Sequence, residues 1–386
     1  MILKALKYKS GWVAGDWSIV SSSKKDDFVN FEKVNLIVGR NATGKTRLID
    51  AIRKISDLFD ATTGSLLDTY EEMDFEIVFQ NEKDLIRYTL TTGYGDSNPI
   101  EVENEKLMIN DNVKLDRLQG LLYYEELKKN VGFELESAFL AIARRDDKQQ
   151  PFFKILHNWG KNVSHYSFGG NMGKSLSEKV SDVSSLEALY FKNSHNIRVT
   201  YKMGIDNYSD IFEKTIINDM NFIDYKLSTI SLNTLSSFLM LTVKESDLPF
   251  EIHFEHMSQG MSRAFSLLVQ LNYSLMAKIP SCILIDDIGE GLDYERSRSL
   301  IELIIKKVEG SNIQLFMTTN DRFVMNSVPL KYWSVIHREG NKSVFYNYQN
   351  SKKTFDDFAF TGLNNFDFFA TDFYRMGFEE FIETAQ

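Results

Sequence analysis

Hydrophobic and polar positions repeat with two different periods along this chain, and each change of period predicts an element. Ile2–Tyr8 and Trp17–Val20 predict strands, the polar stretch SSSKKDD a loop, and the unbroken apolar run Val34–Val38 a strand buried on both faces. From Thr46 onward Leu48, Ile49, Ile52 and Ile55 recur at helical spacing. Residues 74–92 alternate about a turn at Asn81–Asp84, which predicts an antiparallel hairpin. Residues 111–248 read as mainly helical, broken by polar loops such as SFGGNMGKSLSEK, and are expected to form an insertion or lid. An α/β pattern returns from 249, with a strand at 250–256, a helix at 261–277, the buried run Cys282–Ile285, a helix at 294–308 and the strand Ile313–Thr318. Apolar strands joined by crossover helices predict a largely parallel sheet. The expected organisation is an N-terminal half (1–110), the helical insertion (111–248), a C-terminal half (249–353) and a tail (354–386) without internal repeats.

Length and composition narrow the class. At 386 residues, 43% hydrophobic and 25% charged, the chain matches globular averages and supports a sizeable core. Its one cysteine, Cys282, excludes an internal disulfide framework and a cysteine-based zinc site, so a reducing, cytoplasmic setting is expected. No apolar run approaches the roughly 18 residues a membrane helix needs, and the opening MILKALKYKSGW is too short an apolar stretch for a signal peptide. A formal net charge of −10 argues against a wholly basic, nucleic-acid-coating surface, while a local basic patch stays open. The tail crowds phenylalanines with acids and one arginine, Arg375, and two readings stand for it: packing across the core, or a docking surface.

The strongest chemical signal is Gly39-Arg40-Asn41-Ala42-Thr43-Gly44-Lys45-Thr46, which fits GxxxxGK[ST] at every fixed position. The run VNLIV supplies the preceding strand, and the Ile52/Ile55 period supplies the following helix. Glycines let successive N–H groups face phosphates, and the helix N-terminus adds about half a positive charge. Lys45 then reaches the β- and γ-phosphates while the Thr46 hydroxyl ligates Mg²⁺. A similar run, Gly169-Gly170-Asn171-Met172-Gly173-Lys174-Ser175, is one residue too short and lacks a buried strand before it.

Further down the chain, Cys282–Ile285 ends in Asp286-Asp287, the form of a Walker B element whose first aspartate holds Mg²⁺. Met257-Ser258-Gln259-Gly260-Met261-Ser262-Arg263 precedes it, Asp293 follows in DDIGEGLD, and the next strand runs into Asn320-Asp321. This ordered set resembles the ATP-binding cassette (ABC) ATPases, within them the SMC-like and RecF-like branch that includes the overcoming-lysogenization-defect (OLD) family. The resemblance covers about 1–60 and 250–325. It implies an α/β P-loop NTPase of ABC-ATPase head type, with an antiparallel β subdomain and a helical insertion. It also implies that Ser258, Gln259 and Gly260 form a signature acting on the ATP of a second subunit, that Asp293 is the D-loop aspartate, that Asp287 holds the position of the water-polarising glutamate, and that Asn320 holds that of the switch histidine.

The last two residues depart from the family pattern. Aspartate is one methylene short, and a misplacement of about an ångström can cost on the order of a hundredfold in rate. Asparagine donates a hydrogen bond but does not titrate near neutrality. Slow hydrolysis is therefore expected, with Glu290 as an alternative base. Gln80 is a candidate Mg²⁺-sensing glutamine, and Trp17 either stacks on adenine or belongs to the core.

Other chemistry is sparse. His253-x-x-His256, read on a strand, puts its rings on opposite faces and so predicts no shared metal. No GxSxG, HExxH, CxxC or EF-hand pattern occurs, and Arg144-Arg145 is not part of an aromatic-interleaved basic stripe. The resemblance places OLD-type nuclease acids in a domain after the ATPase, so a nuclease is expected on another polypeptide. Stand-alone members of the branch resemble ATPases of anti-phage systems such as Septu and PARIS, which hold or release a separate effector. An ATP-bridged homodimer or higher homo-oligomer with ATP, Mg²⁺ and a nuclease or toxin partner follows from the resemblance, and the lack of a long apolar run adds the expectation of no membrane partner. A RecF/SMC-like DNA-repair or chromosome-associated ATPase, a transporter subunit and an ATP-locked scaffold remain alternatives.

Overall fold

An antiparallel ladder occupies the N-terminal part of the computed structural model, which describes residues 1–11, 15–23, 27–61, 71–95, 100–168, 197–235 and 238–384. Its strands are β1 (Ile2–Gly11), β2 (Trp17–Ser21), β5 (Glu72–Asn81), β6 (Asp84–Tyr94), β7 (Ile100–Ile109), β8 (Asn112–Asp116), β9 (Leu121–Tyr124) and β10 (Lys129–Gly132). They lie side by side in the order β10-β9-β8-β7-β6-β5-β1-β2, while the short β3 (Val29–Asn30) pairs with β1. β4 (Val34–Val38) is buried at every position and leads through the glycine loop into the helix Lys45–Asp60. That helix presents Leu48, Ile49, Ile52, Ile55 and Phe59 to the core. Phe59 meets Tyr88 edge-on, with centroids 5.1 Å apart, and Phe79 meets Trp159 of the helix Phe153–Lys161 at 4.8 Å. The two helices cross closely at Gly160, where a Cβ would come within 2.6 Å of the Ser56 carbonyl oxygen. These elements belong to one compact unit, residues 1–161 with 330–386; residues 162–329 form a second.

The second unit is built on three parallel strands in the order β11-β15-β16: β11 (Val163–Ser167), β15 (Ser281–Asp286) and β16 (Ile313–Thr319). β15 and β16 are buried from end to end, which explains their continuous apolar sequence. Helices Gln259–Met276 and Tyr294–Glu309 flank β15 in sequence, and helices Ile197–Tyr208 and Asp210–Phe222 pack on the first of these. Lys307 joins three helices by contacting Asp219 at 2.9 Å and Asn272 at 3.0 Å, and Asn272 donates to Asp219. A separate small sheet contains β12 (Leu227–Leu235), β13 (Phe238–Glu245) and β14 (Ile252–His253).

β17 (Trp333–Glu339) and β18 (Lys342–Asn347) return to the first unit. β17 pairs parallel with β4, β18 parallel with β2, and the two pair antiparallel with each other. The tail packs there through Phe355, Phe358, Phe368 and Phe373, all buried, with Phe368 6.4 Å from Trp333. Phe360 alone among the tail phenylalanines described stands out almost fully, at 85% exposure.

Four expectations need correction. The segment 111–248 is not mainly helical where described: β8 to β13 lie in it, and β8 to β10 extend the N-terminal ladder, so the boundary at 110/111 falls at a hairpin turn. The sheet is largely antiparallel in the first unit because β5 to β10 follow one another through short turns rather than helices. The strand at 250–256 shrinks to β14, since Phe254–His256 winds into a 3₁₀ turn that brings the His253 and His256 rings to 6.1 Å. The boundary at 353/354 cuts the helix Lys352–Phe358, so the tail begins within that helix rather than after it.

Candidate functional site

The first unit shapes the P-loop by close approach. Ala42 and Gly44 both take positive φ, 63° and 107°, so the backbone curls before the helix begins. A Cβ at Gly39 would lie 2.6 Å from Thr43 Oγ1 and 3.0 Å from the Ile336 carbonyl oxygen, and one at Gly44 would collide with Ser343 Oγ. Lys45 is buried, and its ammonium donates to the carbonyl oxygens of Gly39 at 2.8 Å and Arg40 at 3.3 Å, so it arches over the loop. Thr43 Oγ1 donates to the Arg40 carbonyl at 2.9 Å. Thr46 is exposed at the helix start. The loop is braced from far away in sequence. Ser343 Oγ on β18 donates to the Thr43 carbonyl at 2.6 Å and accepts from Trp17 Nε1 at 3.0 Å, and Arg338 donates to the Ala42 carbonyl. Arg40 pairs with Asp372 of the tail at 3.4 Å.

In the second unit, the carboxyl ends of β11, β15 and β16 stand in a row, with Ser167 in register with Asp286. Ligands of open parallel sheets bind at such ends. Asp286 is buried at the end of β15, Asp287 takes a left-handed φ of 55°, and Asn320 is exposed just past β16. The Thr318 hydroxyl donates to Asp286 Oδ1 and accepts the Asp287 N–H at 2.9 Å. Cys282 on the same strand is buried, and burial pushes its thiol pKa up, so it is an inert core residue.

The segment Ser258–Gly260 opens the helix Gln259–Met276, which Ser258 caps by accepting the Met261 N–H at 3.3 Å. Gly260 is required there: a Cβ would lie 2.5 Å from the Gly291 carbonyl oxygen and 2.9 Å from the Tyr225 hydroxyl. Arg263, one turn on and buried, donates to the Glu290 carbonyl at 2.8 Å. Asp293 caps the helix Tyr294–Glu309 by accepting the Arg296 N–H at 3.0 Å. Arg296 bonds Asp293, donates to the Asp224 carbonyl, and lies 4.5 Å from the Tyr225 ring centroid. The Tyr225 hydroxyl interacts with Ser258, and burial raises its pKa. Ser258–Gly260, Asp293 and the turn after helix Asp210–Phe222 therefore form one packed junction.

Each expected residue has a location. Gly39–Thr46 come together in the first unit. Asp286, Asp287 and Asn320 sit at adjacent strand ends in the second, where Ser258–Gly260 and Asp293 share the Tyr225 junction. Gln80 is tied up in a hairpin, its amide donating to the carbonyls of Glu82 and Asp84. Glu290 side chain is exposed, and its carbonyl serves Arg263. Trp17 is in the core, 6.0 Å from Tyr8, and its Nε1 braces Ser343. The run Gly169–Ser175 lies outside the described residues. Sequence reasoning missed Ser343, Arg263, Tyr225 and Thr318. Only Thr318 left a signal, as a hydroxyl closing an otherwise apolar buried strand.

The P-loop residues fit the phosphates of a nucleoside triphosphate. The glycine cradle admits no Cβ at Gly39 or Gly44, and the P-loop helix carries no side-chain cap, whereas Ser258, Asp293 and Asp321 cap the other three motif helices. A phosphate is the natural cap for such a terminus. The Thr46 hydroxyl in the first unit and the Asp286 carboxylate in the second are each a hard oxygen donor of the kind Mg²⁺ selects.

Comparisons with known proteins bear on the family and the fold. The family described as "AAA domain, putative AbiEii toxin, Type IV TA system" matches residues 34–326. A curated protein of Helicobacter pylori named "ATP/GTP phosphatase" is 24% identical over 312 residues, covering 76% of this chain and 80% of that protein. An SmcHead solved with the C-winged helix domain of ScpA matches with a TM-score of 0.52 at 13% identity, over 89% of this chain and 97% of that one. An Smc head domain with an extended coiled coil, bound to the C-terminal domain of ScpA derived from Pyrococcus furiosus, gives 0.52 at 12%, over 92% and 99%. At these identities the likeness shows the fold, an α/β P-loop NTPase of the ABC-ATPase head type, which is the class the motifs predict.

Proposed function

The chain belongs to this AAA-domain family, and from that premise we propose that it is a slow ATPase of ABC type that closes as an ATP-bridged pair and regulates a separate effector in bacterial anti-phage defence. The braced P-loop carries this reading: its curled backbone and uncapped helix N-terminus are arranged for phosphate, and Lys45 adds the charge. Thr46 and Asp286 would hold Mg²⁺, which would supply charge neutralisation for the phosphates. Asp287 orients the attacking water and accepts its proton, and Asn320 donates a hydrogen bond to the γ-phosphate. In the partner subunit the same residues do the same work, while Ser258, Gln259 and Gly260 approach the first subunit's γ-phosphate and Asp293 crosses the interface. Aspartate for glutamate and asparagine for histidine support slow turnover. The family's description names a toxin and a toxin–antitoxin system, which supports a second polypeptide as the output.

The test is nucleotide binding and turnover, with ATP and GTP, of the purified chain and two variants. Lys45→Ala abolishes nucleotide-dependent thermal stabilisation, and Asp287→Asn, which keeps a residue suited to the left-handed φ, retains ATP without hydrolysing it. Unchanged ATP affinity in Lys45→Ala removes the phosphate-site reading. Full activity in Asp287→Asn moves the base elsewhere, with Glu290 next.

A further inference from the structure

We propose that Thr318 is a positioning residue for both acids of this site, fixing the carboxylate of Asp286 toward its metal and the backbone of Asp287 toward the attacking water. The inference rests on the ATPase reading above. Thr318 is completely buried on β16, beside β15, at the end of the apolar run Leu315–Met317. A valine would fill the same volume without a polar atom, so the hydroxyl needs a reason. It has one in its partners. Oγ1 accepts the N–H of Asp287 at 2.9 Å, and with that lone pair engaged its single proton is directed to Asp286 Oδ1. The Thr318 carbonyl accepts the N–H of Ile288 at 2.9 Å. One residue thus grips three consecutive residues of the neighbouring strand end.

The grip matters because Asp287 lies at a φ of 55°, a left-handed turn out of the strand that aspartate tolerates better than most L residues but that is still less favoured than the extended backbone of β15. A strand end left to itself would relax out of it and swing the Asp287 side chain away. Holding the peptide N–H prevents this. Committing Asp286 Oδ1 to a fixed donor sets the plane of the carboxylate, as the outer partners of metal-binding carboxylates do. The adjacent Thr319 repeats the device on the opposite face, its hydroxyl accepting the Asp321 N–H at 3.1 Å where the chain turns past Asn320. Packing alone explains the methyl group of Thr318 and leaves its hydroxyl unexplained.

Two substitutions separate the parts of the side chain. Thr318→Val keeps the shape and removes the hydroxyl; Thr318→Ser keeps the hydroxyl and removes the methyl. Each is measured for ATP affinity in EDTA, ATP affinity in Mg²⁺, the Mg²⁺ concentration giving half-maximal turnover, and kcat. The expected result is that Thr318→Val binds ATP normally in EDTA and loses most of the Mg²⁺ enhancement. Its Mg²⁺ requirement should rise about tenfold and its kcat fall about a hundredfold. Thr318→Ser retains most of both despite a lower melting temperature. A packing role predicts the reverse order, and Thr318→Val equal to or better than Thr318→Ser overturns the proposal. Should the valine variant fail to fold, Thr318→Ala takes its place, with equality to Thr318→Ser the overturning result. Failure of the underlying reading looks different: Asp286→Asn then shows wild-type Mg²⁺ dependence, whatever Thr318 does.

Discussion

Replacing Ser343 by alanine removes one oxygen atom some 300 positions from the P-loop and should weaken ATP binding. That oxygen donates to the Thr43 carbonyl at 2.6 Å and accepts from Trp17 Nε1 at 3.0 Å, and Ser343 is fully buried. Alanine fits without strain, so the loss is of hydrogen bonds alone. Each buried group left unpaired costs about 1–3 kcal/mol, so the two together cost the first unit about 2–6 kcal/mol. The share belonging to the Thr43 carbonyl, about 1.4 kcal/mol, acts directly on the loop. It multiplies the population of loop conformers that do not present their N–H groups to phosphate by about ten, and where such conformers come to dominate, the apparent Kd rises by up to the same factor. Urea unfolding followed by tryptophan fluorescence reads the first number, and calorimetric ATP titration the second. Trp17→Phe is the control, since it removes one donor and leaves the Thr43 contact, so its effect on affinity should be smaller. A Ser343→Ala chain with unchanged affinity and unchanged stability would show that the brace does not shape the loop.

Two other predictions concern the pair and the core. Ser258→Arg should bind ATP yet neither associate nor hydrolyse, while mixing it with Lys45→Ala should restore one composite site per heterodimer, read by sedimentation and ATPase assay; absence of rescue in both rules out a signature acting in trans. Glu105 on β7 accepts from the N–H groups of Ala141 and Ile142, the Tyr88 hydroxyl and Arg117, and desolvation by burial raises its pKa above the ordinary 4.5 despite those donors. A raised folded pKa means stability present below pH 4.5 and lost as pH rises through the folded value, so the wild type's advantage over Glu105→Gln in urea should shrink with rising pH across that window. An advantage that grows instead would contradict the sign.

What the sequence revealed depends on how local each constraint is. The P-loop can be read because its backbone path demands glycine at fixed spacing, and Gly39 and Gly44 each face an atom that forbids a Cβ. β15 and β16 can be read because burial on both faces leaves no polar position to confuse. The half-exposed β8 to β10 are a different case: short strands such as LLYY, paired through tight turns, carry too few residues for alternation to stand out, and they merged into an apparent helical region. Partners such as Ser343 for Thr43, or Tyr225 for Gly260, are set by tertiary approach and leave no trace in the neighbouring sequence.

The brace on the P-loop also sets a schedule for the ribosome. Strand, loop and helix are all made within the first sixty residues, yet the serine that holds the Thr43 peptide is polymerised 300 residues later. At about 5–20 residues per second, this leaves an interval of roughly 15–60 s in which the nascent chain carries the phosphate-binding residues without their final support. Until Ser343 is made, the loop of this chain would hold nucleotide up to about tenfold more weakly than the finished protein.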